Sequence, residues 1–111
     1  MNQNIARRYS PEILQQALER FAVHTPLDLE GFDSYVYECQ NAQGPYILKI
    51  THTLRQSQNE LEGELDFTAY LVNQGAPVVK PLPSIHSKLV EAIPDSQGEN
   101  FLAFVCQKAP G

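Results

Sequence analysis

The chain has 111 residues but no tryptophan, one methionine and two cysteines, Cys39 and Cys106. Two cysteines are too few for a disulfide framework or a four-ligand zinc site. Both stand in apolar, strand-like surroundings and are read as buried thiols of a reducing compartment. No stretch reaches the ~18 apolar residues that a membrane span needs. The opening MNQNIARRYSPE lacks the apolar segment of a signal peptide. Positive charge is scarce as well: eight Lys and Arg stand against thirteen Asp and Glu, a net charge of −5. The eight are scattered, so no cluster is available to replace the counterions of a nucleic acid or an anionic membrane. Neither partner is expected, and a cytoplasmic location is. What remains is ordinary for one small folded domain, with 42% hydrophobic and 19% charged residues.

Local signals give the order of elements. Ser10-Pro11-Glu12 opens a helix, because Ser can cap it and Pro is tolerated in the first turn. Ile13, Leu14, Ala17, Leu18 and Phe21 follow at helical spacing, and the helix is expected to end near Phe21 or Ala22, before Pro26. Strands are expected over Leu27–Glu30, Tyr35–Cys39 and Tyr46–Ile50. The turn residues Gly31-Phe32-Asp33-Ser34 and Asn41-Ala42-Gln43-Gly44-Pro45 separate them. From about Leu54 to Gln74 the apolar period becomes helical, and Gly75 with Pro77 stops it. Val78–Leu82 reads as connection, and Leu89–Ile93 and Phe101–Gln107 as strands around the turn at Pro94–Gly98. The fold class is α+β: a five-stranded antiparallel sheet packed on one long helix, with an extra N-terminal helix. Residues 1–26 are an N-terminal helical extension and 27–111 the main lobe.

Three features could carry chemistry. Lys49 interrupts the apolar run Tyr-Ile-Leu-Lys-Ile. Alternation puts it with Ile47, and Leu48 with Ile50. If Leu48 and Ile50 face the long helix and the core, Lys49 faces outward or into a cleft. There it is either an edge lysine that blunts aggregation or a cation held for a phosphate or carboxylate. Glu64 is the second feature. At about 100° per residue, Leu71 and Thr68 fall within roughly 20° and 40° of it, inside the apolar stripe, while Glu62 and Asp66 fall on the opposite face. A carboxylate on a buried stripe needs a partner, and Lys49 is the natural one. Glu60, one turn earlier, is its only rival. The third feature is the Gly31–Ser34 turn, which can offer backbone N–H groups and a hydroxyl to phosphate. His24, His52 and His86 are in loop-like positions, with no carboxylate or thiol at metal-ligand spacing.

The stretches GFDSYVYEC, GPYILKI, ELDFTAYLVNQGAPVVKP, LVEAI and FLAFVCQKAPG resemble the N-terminal lobe of the aminoglycoside phosphotransferase and choline kinase-like family, of protein-kinase-like fold. The resemblance implies a role for each matching residue. Lys49 would hold the α- and β-phosphates of ATP, and Glu64 would orient Lys49. Gly31, Phe32, Asp33 and Ser34 would lie over the phosphates, with Ser34 as side-chain donor, although only one glycine of a G-x-G-x-x-G loop is present. Val36 and Ile47 would roof the adenine, Cys106 would stand behind it, and Gln107 to Ala109 would form the hinge.

The same resemblance shows what is missing. No histidine opens an H-G-D or H-R-D catalytic loop, and Asp66-Phe67-Thr68 lies mid-helix and is no metal-binding turn. The family reading therefore implies ATP with Mg2+ in a full-length protein, no catalytic or metal residue here, and an inactive fragment that requires no cofactor. It also implies a missing C-terminal lobe, and self-association through the lobe face thereby exposed. An α+β interaction module, with Lys49 and Glu64 as a plain ion pair, is the alternative.

Overall fold

The computed structural model describes residues 3–31 and 34–108. Among them run helix α1 (Gln3–Ala6), helix α2 (Pro11–Phe21), strands β1 (His24–Asp28), β2 (Tyr35–Asn41) and β3 (Gly44–His52), helix α3 (Gln58–Asn73), and strands β4 (Pro81–Leu82), β5 (Glu91–Pro94) and β6 (Asn100–Gln107). All strand pairs are antiparallel. The sheet order is β1-β2-β3-β6-β4, with β5 also paired to β6. The expected α+β class holds, with six strands rather than five. The added strand is β4, two residues drawn from the stretch expected to be connection; Pro81 and Leu82 pair with Cys106 and Val105. Pro26 falls inside β1, which is an edge strand with every residue exposed, where a missing N–H costs no ladder bond. No described helix is long and apolar enough to cross a membrane.

The two faces of the sheet have different covers. Leu48 and Ile50 of β3, with Phe101, Ala103 and Val105 of β6, pack with Ile5 of α1 and Ile13, Ala17, Leu18 and Phe21 of α2. Leu102, with Phe104 and Cys106 at its flanks, packs instead with Leu61 and Leu65 of α3. The expected facing of β3 is thus reversed. Its apolar side meets the N-terminal helices, and the side carrying Ile47, Lys49 and Thr51 is the side on which α3 lies. The stripe of α3 is also rotated from the expected one: it centres on Leu61 and Leu65, and leaves Glu64 exposed on its flank. Ser57 caps this helix, its Oγ accepting the Glu60 N–H at 3.1 Å. Ser10, by contrast, makes no side-chain cap on α2.

A buried polar network locks the N-terminal residues to the sheet. His52 is fully buried, not in a loop as expected. Its Nδ1 accepts the Leu54 N–H at 3.0 Å, so Nε2 carries the hydrogen and donates to Asp95 Oδ2 at 2.7 Å. Arg8 donates to the same Asp95 oxygen at 3.0 Å and to Glu99 at 2.8 Å. Beside it, the Tyr9 ring stacks on Tyr35 at 3.7 Å, and the Tyr9 and Tyr37 hydroxyls share a hydrogen bond of 2.7 Å. On α2, Arg20 reaches buried Glu91 at 3.3 Å and the Ala92 carbonyl at 2.7 Å.

Burial pushes the Asp95 carboxyl up. Hydrogen bonds from His52, from the backbone N–H groups of Glu99 and Gln97, and from Arg8 outweigh it and hold the group well below the usual carboxylate range. An unfolded Asp titrates near ~3.9, so the network contributes fully above that pH and loses its contribution as pH falls below it. Asp95→Ala strands the His52 donor in the core and is expected to cost roughly 1–3 kcal/mol in urea unfolding at pH 7. The same variant should show a flatter decline of stability between pH 5 and pH 2 (about the range in which a depressed carboxylate takes up its proton).

Candidate functional site

The face of the sheet shared with α3 holds two cavities that meet at one lysine. Strand pairing sets Lys49 of β3 directly opposite Phe104 of β6 and Val36 of β2. Thr51 follows Lys49 at the two-residue spacing of one strand face. The larger cavity, of about 390 Å3, is lined by Ser34, Lys49, Thr51, Arg55, Gln56, Glu60 and Phe104. The smaller, of about 180 Å3, is lined by Ile47, Lys49, Val79, Phe104, Cys106 and Gln107. The first is mainly polar and open, the second mainly apolar. Lys49 and Phe104 belong to both.

The expected residues fall unevenly on this geometry. Lys49, Ser34, Ile47, Cys106 and Gln107 line the cavities. Val36 sits across from Lys49 but lines neither. Phe32, Asp33 and Ala109 lie outside the described residues. Gly31 lies beside the site without lining it. A Cβ there would collide with the Ser34 carbonyl oxygen and the Val36 side chain, so only glycine allows this close approach. The turn is further shaped by Glu30 at φ 55°, whose N–H is taken by Asp28 Oδ1 at 2.7 Å, and by the Leu29 N–H to Val36 carbonyl bond of 2.9 Å.

The expected ion pair between Lys49 and Glu64 is not formed. Among the described residues Lys49 makes no ion pair, and Glu64 accepts a hydrogen bond from Gln56 Nε2 at 2.9 Å. The acid that shares a cavity with Lys49 is Glu60. The cause is the rotated stripe of α3: Leu61 and Leu65 take the buried direction and turn Glu64 away.

Cys106 is half-buried, not buried, and unlike Cys39 it opens on the apolar cavity. Burial raises its thiol and nearby Lys49 opposes that. Burial, aided by the nearby Glu38 charge, carries the enclosed Cys39 to about 11. Both thiols are therefore protonated and unreactive at neutral pH.

Sequence reasoning missed Phe104, Thr51, Arg55, Gln56 and Val79. Period-two alternation along β3 and β6 would have found Thr51 and Phe104. Arg55, Gln56 and Val79 stand outside regular elements, where no period places a side chain. No three His, Cys, Asp or Glu among the described residues converge to hold a metal.

Known proteins resemble the chain in sequence and in fold. Residues 24–109 match the model of the phosphotransferase enzyme family. An amicoumacin kinase of Bacillus subtilis (strain 168) is 43% identical over 105 residues, covering 93% of this chain and 31% of that protein. The solved structure of amicoumacin kinase hAmiN in complex with AMP-PNP, Ca2+ and Ami superposes on all of this chain with a TM-score of 0.94 at 40% identity. That match covers 34% of the kinase. A microcompartment-associated aminopropanol kinase, 19% identical, shares the fold over 90% of this chain and 32% of its own, with a TM-score of 0.75. The chain thus spans about a third of the length of these relatives. With the family match running from β1 to the end of β6, the chain belongs to the phosphotransferase enzyme family.

Proposed function

We propose that the chain is the ATP-binding N-terminal lobe of a kinase-like phosphotransferase that moves the γ-phosphoryl group of ATP to a hydroxyl or amine of a small molecule. One observation carries the reading: an apolar slot and a polar cavity share Lys49 at their junction. A purine suits the slot between Ile47, Val79 and Cys106. Phosphates suit the polar side, where Lys49 offers a compact positive charge and Ser34 a hydroxyl. Phosphoryl transfer asks the protein mainly for positioning and charge neutralisation, and these residues supply that for the donor. Gln107 extends the slot, and its N–H donates to the Lys80 carbonyl at 2.9 Å. This ties the hinge-like end of β6 to the segment before β4. The acceptor groups and the seat of the divalent ion belong, on this reading, to other parts of the protein. Glu60 is better placed than Glu64 to steady Lys49, since it lines the same cavity. Its Oε1 already accepts the Ser57 hydroxyl at 3.0 Å.

The relatives support this reading by name: one is a kinase solved with AMP-PNP and Ca2+. ATP added to the 15N-labelled chain should shift amide signals of β3, β6 and the Gly31 turn saturably. Lys49→Ala should weaken that binding by roughly 10-fold or more, as expected for a lost charge-assisted contact. Lys49 is exposed, so the variant should keep wild-type stability within about 0.5 kcal/mol. Equal ATP affinity in both proteins would refute the assignment of Lys49.

The reading also gives a meaning to the exposed aromatics of α3. Phe67 and Tyr70 are 56% and 58% exposed and lie parallel to each other at 6.3 Å. Such a pair belongs against another surface, and the rest of the protein is its natural cover. With that cover missing, the chain should self-associate. Light scattering at rising concentration should show a mass above 12.5 kDa, and Phe67→Ser with Tyr70→Ser should return it to the monomer.

A further inference from the structure

The two cavities impose an order on whatever lies across them. A ligand seated with its apolar end among Ile47, Val79 and Cys106 passes Lys49 and Phe104, which line both cavities, before it reaches the residues that line only the larger one. Among those residues Arg55 is the one cation. The chain has a net charge of −5 and its eight basic residues are otherwise dispersed. Two of the eight line one cavity, with Glu60 among the described residues there.

Arg55 also starts from a fixed base. The N–H groups of three successive residues all end on His52: Leu54 on the ring Nδ1 at 3.0 Å, and Arg55 and Gln56 on the backbone carbonyl at 2.9 and 3.2 Å. His52 is fully buried and held by Asp95. The turn between β3 and α3 is therefore anchored in the core, and the arginine stem leaves it at a set point beside the cavity. A guanidinium on an anchored turn is a planar, permanently charged donor suited to phosphate oxygens.

We infer that Arg55 binds the terminal phosphate of the nucleotide and sets a preference for nucleoside triphosphate over monophosphate. The inference rests on the nucleotide-binding reading and adds a division of labour: Lys49 at the junction meets the phosphates nearest the nucleoside, and Arg55 meets the far end. Each cation then reports on a different phosphate.

The test is amide-shift titration of the 15N-labelled chain and of Arg55→Ala with ATP and with AMP. Arg55 is exposed, and an unchanged spectrum of the unliganded variant checks that it folds. Arg55→Ala should weaken ATP binding roughly 10-fold and leave AMP binding within about twofold, with Arg55→Lys recovering part of the ATP loss. If the wild-type chain shows no saturable ATP binding, the nucleotide reading itself fails. If the wild type binds ATP and Arg55→Ala binds it equally well, or loses ATP and AMP to the same extent, the assignment of Arg55 fails while the nucleotide reading stands.

Discussion

The contact between His52 and Asp95 is the constraint on which the rest of this structure depends. It joins the end of β3 to the turn between β5 and β6, in a place where neither group reaches solvent. A buried carboxylate survives only with its lone pairs occupied. Asp95 fills them with His52, Arg8 and the N–H groups of Gln97 and Glu99. Each donor belongs to a different part of the chain or of the turn. One side chain therefore binds the N-terminal segment, the centre of the sheet and the β5–β6 hairpin. Through the other nitrogen of the ring and the His52 carbonyl, the same residue sets the course of the backbone entering α3.

From that anchor the sheet acquires two unlike faces. One is closed by α1 and α2 over Leu48, Ile50, Phe101, Ala103 and Val105, and it supplies most of the buried apolar surface. The other is only partly covered by α3, through Leu61 and Leu65. This division lets the chain keep a polar cavity on a small sheet. Stability comes largely from the back face, so the front face can leave Lys49 exposed. The same asymmetry explains why α3 presents aromatic residues outward: its inner stripe is narrow, and its remaining sides are available for other contacts.

Much of this was legible in the residues themselves. The alternation around Lys49, the helical period after Leu54, the stop at Gly75 and the turn at Gly31 marked the fold class, most element positions and the central cation. The helix stripe is not legible in the same way: Leu71 and Thr68 draw the apolar direction toward Glu64, whereas packing buries Leu61 and Leu65. Helix α1 was invisible, since four residues have no period and too little helical preference to form alone; burial of Ile5 and the bonds of Arg8 hold it. His52 had no local mark of its role, because its partner stands far along the chain at Asp95.

The sequence by itself determined which residues alternate on each strand, where the two longer helices stop, and that one lysine stands out of its apolar strand. These are short-range matters, governed by backbone geometry and by periods of two and 3.6 residues. Only the tertiary structure decided which face of the sheet meets which helix, that Glu60 and not Glu64 shares a cavity with Lys49, and that Arg55 joins them there. Those outcomes depend on the rotation of α3 about its axis and on the path of the turn before it. Both are set by long-range packing of Leu61 and Leu65 and by a buried histidine whose partner is distant in the chain, so no local pattern could carry them.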